Sequence, residues 1–339
     1  PEELSSLAVL QIALKAWSGV YRVPVRRRFK EAQLVEIDEP TEAFFHLADT
    51  MAQAIAVLDE NDLRRVKLEQ ALNGAFQLVD FIRVKRLPFY TSIREALVYL
   101  NKCLHKLQRD ELKPTVTAVG HSHIDMAWMW RMERTRQKAQ RTFTTVLNLM
   151  RQYPEYRYSH SSPQLYEFVK HDAPELFARV KEAVSAGKWE VLGGSWIEMD
   201  TLLPGGESLA RQVLYGKQFT RREFGTEPRV LWMPDSFGYT GILPTIMKAG
   251  GLEGFFTSVI SWSKFNRTPY DLFTWRGLDG SEVLVNFITT PAEFSKNYNY
   301  IGRLEPDDVT RTWNNNRQKG FTDEVLLPFG WGDGGVARR

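Results

Sequence analysis

The chain has 339 residues, 43% of them hydrophobic, which is enough to bury a large core in one or two domains. Its formal net charge of +3 is small for this length, and the short basic run Arg26–Arg28 is too narrow for a nucleic-acid-binding surface. No apolar run is long enough to span a membrane, and the single cysteine, Cys103, favours a reducing, cytoplasmic location.

The first third of the chain is predicted to be helical. Residues 1–17 have the apolar spacing of an amphipathic helix, without the basic start and the purely apolar core of a signal peptide. A short extended piece is expected around Gln33–Ile37, followed by about three helices between residues 41 and 112. We therefore predict a helical N-terminal region over residues 1–113.

From residue 114 onward, strand and helix patterns alternate. Seven short runs rich in β-branched and aromatic residues predict strands: Thr115–Val119, Tyr156–Ser159, Trp189–Leu192, Val230–Met233, Gly254–Val259, Val283–Ile288 and Val325–Leu327. Helical spacing lies between several of them, over Arg131–Gln152, Ser162–Ala186, Glu207–Glu223 and Gly241–Ala249. This alternation predicts an α/β domain over residues 114–339, with about seven parallel strands in a barrel or a strongly curved sheet.

A group of metal-capable side chains directly follows the first predicted strand. His123 and Asp125 are two residues apart, so in extended chain they point to the same side. An imidazole nitrogen and a carboxylate oxygen there suit zinc, and an incomplete protein ligand set suits a catalytic zinc site. Taken alone, the motif is equally compatible with a polar loop whose histidines make ordinary hydrogen bonds.

Two further acids follow predicted strands in the same way. Asp235 comes just after Val230–Met233 and Pro234, and Asp333 lies in the glycine-rich turn after the last strand. A lone aspartate is more often a solvated loop residue or a helix cap. Acidic and imidazole groups after three strands are harder to explain in that way, because the carboxyl ends of parallel strands are where α/β active sites lie.

Several motifs together resemble glycoside hydrolase family 38, the α-mannosidases, and in particular their bacterial and cytosolic type. In chain order they are GHSHIDMAW, YSHSSPQLYEFV, GGSWIEMDTLLPGGESLARQ, WMPDSFGYTGILPTIMKAGG, FTWRGLDGSEVL and FGWGDGG. The resemblance implies a seven-stranded catalytic core. It also implies that a zinc-dependent, retaining mechanism hydrolyses terminal α-linked mannose in oligosaccharides or glycans.

The resemblance also implies roles for individual residues. His123, Asp125 and Asp235 match three zinc ligands of the family, and Asp235 matches its catalytic nucleophile. Asp333 is the candidate acid/base, although Golgi-type members carry two adjacent aspartates where this chain has Asp333 followed by glycine. Trp128 matches the tryptophan that packs against the zinc-bound sugar.

The family's fourth zinc ligand is a histidine far downstream, whereas all six histidines here lie at or before His171. The chain is therefore expected to be the N-terminal portion of a longer enzyme, with its catalytic domain truncated at the C-terminal end and with weak zinc binding on its own. Two other functions stay open: a metal-dependent polysaccharide deacetylase and an inactive carbohydrate-binding fragment. The expected partner is a mannose-containing oligosaccharide, not nucleic acid or a membrane, and a homo-oligomer is compatible with the sequence.

Overall fold

A computed structural model describes residues 37–60, 62–107, 114–192, 194–263, 265–292 and 297–333. The helix predicted over residues 1–17 lies outside the described residues, as does nearly all of the extended piece predicted around Gln33–Ile37.

Between residues 37 and 107, the described structure contains the three predicted helices: α1 (Glu39–Val57), α2 (Leu63–Leu78) and α3 (Leu87–Lys106). The side chains of Asp38 and Asp62 accept hydrogen bonds from the first turns of α1 and α2, which satisfies amide groups that a helix start leaves unpaired. The three helices share an apolar core of their own, built from Phe44, Met51, Leu68, Ala71, Ala75, Val79, Ile93, Ala96 and Leu100. The division into two domains near residue 113 stays a prediction.

Eight strands are present in the described part of the chain: β1 (Thr115–His121), β2 (Tyr158–His160), β3 (Trp189–Val191), β4 (Val230–Trp232), β5 (Gly254–Thr257), β6 (Leu272–Arg276), β7 (Glu282–Phe287) and β8 (Glu324–Phe329). All seven predicted strands are among them. The additional strand, β6, forms an antiparallel hairpin with β7. Its turn contains Asp279-Gly280, a dipeptide typical of hairpin turns, and Gly280 has a φ of 86°.

The strands form two four-stranded sheets, in the orders β3-β2-β1-β8 and β4-β5-β7-β6. Every pairing except β6 with β7 is parallel. No ladder connects the two sheets in the described residues, so the fold is a mixed α/β arrangement with two parallel sheets. One apolar cluster takes side chains from both sheets and their connections, with Leu192, Trp232, Phe256, Val259, Ile288 and Tyr300 at its centre.

Among the residues that the structure describes after residue 113, six α-helices connect the strands: α4 (Met132–Gln152), α5 (Pro163–Asp172), α6 (Pro174–Ser185), α7 (Gly206–Phe224), α8 (Leu243–Ala249) and α9 (Pro306–Asn315). The helical stretch predicted over Ser162–Ala186 contains two helices, because Pro174 ends α5 and starts α6, with Ala173 in a non-helical conformation between them. None of the described helices combines the length and the apolar character needed to cross a membrane.

Candidate active site and metal centre

The carboxyl ends of β1, β4 and β8 deliver the predicted site residues to one cavity. His123 and Asp125 follow β1, Asp235 follows β4, and Asp333 follows β8. All four line a cavity of about 540 Å³, a volume within the usual range for small-molecule sites. The rule that active-site groups follow the carboxyl ends of parallel strands, here called the strand-end rule, thus predicted that these side chains lie together. Their individual roles stay predictions.

The imidazole of His123 is the centre of this group. Its Nε2 lies 3.1 Å from Oδ1 of Asp125 and 3.5 Å from Oδ2 of Asp235, and its side chain is only 6% exposed. Burial works against a charged imidazole here, but Glu198, Asp125 and Asp235 outweigh it and raise the pKa of His123 well above its ordinary value. The surrounding carboxylates therefore make this point of the cavity strongly attractive to positive charge.

The arrangement fits a metal ion. Ligand atoms of His123, Asp125 and Asp235 all lie within 4.8 Å of one another. One imidazole nitrogen and two carboxylate oxygens are a donor set that zinc accepts, and three protein ligands leave room for a further ligand or for substrate. The three side chains come from two loops that follow β1 and β4, so a cation would bridge these loops.

A fourth acidic residue of the cavity, Glu198, contacts both His123 and Asp235 and was not predicted from the sequence. Its Oε2 lies 2.8 Å from Nδ1 of His123. Its Oε1 accepts a 2.6 Å hydrogen bond from the backbone N–H of Asp235 and a 3.1 Å bond from the hydroxyl of Ser236. The signal was present in the sequence, because Glu198 follows β3 in the motif GGSWIEMD and so obeys the same strand-end rule as the residues that were found.

The carboxyl group of Asp333 lies next to that of Asp125. Burial, together with the neighbouring Asp125 carboxylate, raises the pKa of Asp333 to about 6. For Asp125, burial is outweighed by the hydrogen bond from His123, and its pKa is lowered. The two carboxyl groups thus differ in proton affinity, which lets one hold a proton while the other stays ionised.

The carboxyl group of Asp235 is surrounded by His123 and Tyr300. Burial raises its pKa to about 6, while the positive charge of His123 acts in the opposite direction. The hydroxyl of Tyr300 donates a hydrogen bond to its carboxylate, and the Tyr300 ring packs edge-on against His123 at a centroid distance of 5.5 Å. No sequence pattern pointed to Tyr300, since it lies in an irregular segment after β7.

Aromatic side chains surround the mouth of the cavity. Trp128 lines it, is 59% exposed and packs edge-on against Trp130 at 5.8 Å. The indole N–H of Trp130 donates to Thr135, whose hydroxyl donates to the carbonyl of Asp125. Trp262 and Phe237 line the same cavity, with exposed fractions of 43% and 74%. An exposed indole held in place by its neighbour is a suitable surface for the C–H face of a sugar ring.

His121, the first histidine of the motif, is not part of the metal group. Its Nε2 accepts a hydrogen bond from the indole of Trp232, and its Nδ1 lies 2.9 Å from the carbonyl of Ser159. Burial lowers its pKa to about 3, so it stays neutral. It connects β1 to β2 and β4 beneath the site.

Comparison with known proteins agrees with this geometry. Residues 113–339 match the family model described as glycosyl hydrolases family 38 N-terminal domain. The chain is 37% identical over 242 residues to "Alpha-mannosidase G" of Dictyostelium discoideum, covering 69% of this chain and 22% of that protein. It is 41% identical over 225 residues to "Alpha-mannosidase 2C1" of Homo sapiens, covering 66% of this chain and 21% of that protein.

A solved structure titled as an alpha-mannosidase from Enterococcus faecalis V583 superposes with a TM-score of 0.54 at 23% identity, over 66% of this chain and 26% of that chain, and this supports the fold. The chain spans about a fifth of the length of the two relatives named above. The family match covers most of the chain and contains every residue of the site. This protein therefore belongs to glycoside hydrolase family 38.

Proposed function

We propose that this protein, in its full natural form, hydrolyses terminal α-linked mannose in oligosaccharides or glycans with retention of configuration. The observation that carries the proposal is the meeting of His123, Asp125, Asp235 and Asp333 in one cavity of a family 38 domain. Retaining glycosidases need two carboxyl groups on opposite sides of the scissile bond. Asp235 and Asp333 are the candidates for that pair.

Asp235 is the proposed nucleophile. Its carboxylate attacks the anomeric carbon and forms a covalent glycosyl ester, while Asp333 donates a proton to the departing oxygen. In the second half of the reaction Asp333 removes a proton from water, and the water releases mannose from Asp235. Tyr300 and Glu198 hold the attacking residue in place through its carboxylate and its backbone N–H.

His123, Asp125 and Asp235 are the proposed zinc ligands, supported by the spacing of their donor atoms. A divalent cation held there supplies positive charge that favours the ionised form of Asp235 and orients sugar oxygens. Trp128 is the proposed sugar-stacking residue, supported by its exposure at the cavity mouth.

The architecture of the core and the cellular location belong to the same proposal. We infer that the seven parallel strands enclose the shared apolar cluster as a barrel-like core, supported by the side chains that both sheets contribute to it. A cytoplasmic location is favoured by the single cysteine of the chain.

A hydrolysis assay tests the proposed function. The purified full-length protein is given an aryl α-mannoside, with the matching α-glucoside as the control, before and after treatment with a chelator. We expect release of α-mannose, loss of turnover with the chelator and recovery with added zinc. Release of β-mannose would overturn retention, and full activity in excess chelator would overturn the metal requirement.

A further inference from the structure

Glu198 is placed so that it contacts the residues delivered by two different strands. Its side chain is 9% exposed and faces His123 from the β1 loop with one oxygen and Asp235 from the β4 loop with the other. We propose that Glu198 is the positioning residue of this site, which fixes the orientation of the metal-binding imidazole and the location of the nucleophile together. This inference rests on the proposed function of the site.

The first part of the argument concerns the His123 ring. A histidine ligand binds a metal through a nitrogen that carries no proton, and a carboxylate on the other nitrogen selects that tautomer. Here the carboxylate of Glu198 lies 2.8 Å from Nδ1, a contact that favours the tautomer with its proton on Nδ1, and Nε2 faces Asp125 and Asp235. The reverse tautomer would direct an N–H at the metal position.

The second part concerns the backbone of the β4 loop. The N–H of Asp235 and the hydroxyl of Ser236 both donate to the remaining oxygen of Glu198, at 2.6 and 3.1 Å. One oxygen of this buried carboxylate thus holds the β4 loop through two hydrogen bonds, while the other makes the 2.8 Å ion-pair contact with His123. A shift of the His123 ring is therefore transmitted to the nucleophile through a single side chain.

Glu198→Gln separates the two contacts. A glutamine keeps one oxygen, which satisfies both donors of the β4 loop, and its amide nitrogen then faces the Nδ1 of His123. Two donors then meet, so the ring loses the group that selects its tautomer. Ser236→Ala does the opposite, because it removes one donor from the β4 loop and leaves the contact with His123 intact.

The first test is zinc titration by calorimetry of the full-length protein. We expect Glu198→Gln to weaken zinc binding about 10- to 100-fold, the usual effect of losing such a partner. Ser236→Ala should change it less than about threefold. Glu190→Gln, a change of the same kind at an exposed position in β3, is the control and should bind like the unaltered protein. Zinc affinity unchanged by Glu198→Gln would overturn the proposal.

The second test needs no metal. In the chelated protein, the Tm shifts of Glu198→Gln and His123→Ala should be clearly non-additive when combined, because both remove the same contact. Glu198→Asp, whose shorter side chain cannot span both loops, should lower the Tm as well and replaces Glu198→Gln if that variant fails to fold. Additive shifts would overturn the proposal. If the unaltered protein binds no zinc, the metal part of the proposed function fails, and the Tm cycle alone decides the role of Glu198.

Discussion

The ammonium group of Lys138 donates a 2.5 Å hydrogen bond to the backbone carbonyl of Asp333, which lies 195 residues further along the chain. Lys138 is a buried residue of α4, and its amino group lies 4.1 Å from the centre of the Trp130 ring. The turn after β8 is thereby fixed to the helix that follows β1. Asp333 itself has a φ of 54°, an uncommon conformation that such an anchor helps to maintain.

Lys138→Met should loosen the turn that carries Asp333. Methionine keeps most of the apolar stem but removes the charged donor, and the loss of such a hydrogen bond costs about 1.5–3 kcal/mol. We expect a lower Tm and a lower kcat, with the larger kcat loss on mannosides with poor leaving groups. Lys181→Met, on the exposed surface of α6, is the matched control. Equal turnover by Lys138→Met and the control on both substrate types would contradict this anchor role.

Asp235→Asn should abolish turnover while keeping the shape of the side chain. A neutral amide is a poor nucleophile, and removal of a catalytic nucleophile elsewhere lowers kcat by roughly 10⁴-fold or more. The measurement is steady-state hydrolysis of an aryl α-mannoside, with circular dichroism to verify folding. A folded variant that retains a near-normal rate would assign the attack to another residue.

Asp333→Ala should affect substrates according to their leaving groups. Activated aryl mannosides leave without protonation, so their glycosylation step should be nearly spared, whereas unactivated oligosaccharides should lose about 10²- to 10⁴-fold. Added azide should restore turnover of the glycosyl ester, because it needs no base. Equal losses on both classes, together with no azide effect, would move the acid/base role to another carboxyl group.

His160 should make the protein sensitive to mild acid. It is 1% exposed, and burial lowers its pKa well below the ordinary 6.5. The unfolded chain binds a proton near pH 6.5 and the folded chain does not, so stability is fully present above that pH and falls as the pH drops below it. Urea unfolding between pH 7.5 and 5 should show this loss, and His160→Asn should reduce its slope. An unchanged slope in His160→Asn would contradict this role of the buried histidine.

The parts of the fold that the sequence predicted are those with strong local signals. Strands such as β1 and β5 are short runs of β-branched or aromatic residues with glycine or proline nearby, and their positions were correct within a few residues. The helix α9 was missed because its sequence, PDDVTRTWNN, has only two large apolar residues. It is stabilised instead by an ion pair between Asp308 and Arg303, five residues earlier, and by a long-range hydrogen bond from Thr289 to the carbonyl of Thr312.

The residues of the candidate site also fall into those that the sequence predicted and those that it did not. The rule that active-site groups follow parallel strands is sufficient to group His123, Asp125, Asp235 and Asp333 from the amino-acid sequence alone. The role of Lys138 could not be predicted from the sequence, because a lysine in a helix is normally solvated. This lysine is buried, and its amino group contacts the turn at Asp333, 195 residues later in the chain. Such a contact depends on which strands become neighbours, and local sequence patterns do not contain that information.

β1 lies between β2 and β8 in its sheet, and on the β8 side Thr115 is opposite Glu324. During synthesis, this edge of β1 stays unpaired until β8 is made about 200 residues later. At a synthesis rate of ~5–20 residues per second, that interval is roughly 10–40 s. Throughout that interval, the loop that carries His123 lies next to an unpaired strand edge. Until β8 has left the ribosome, the nascent chain thus has an unpaired strand edge, open to mispairing, beside the candidate active site.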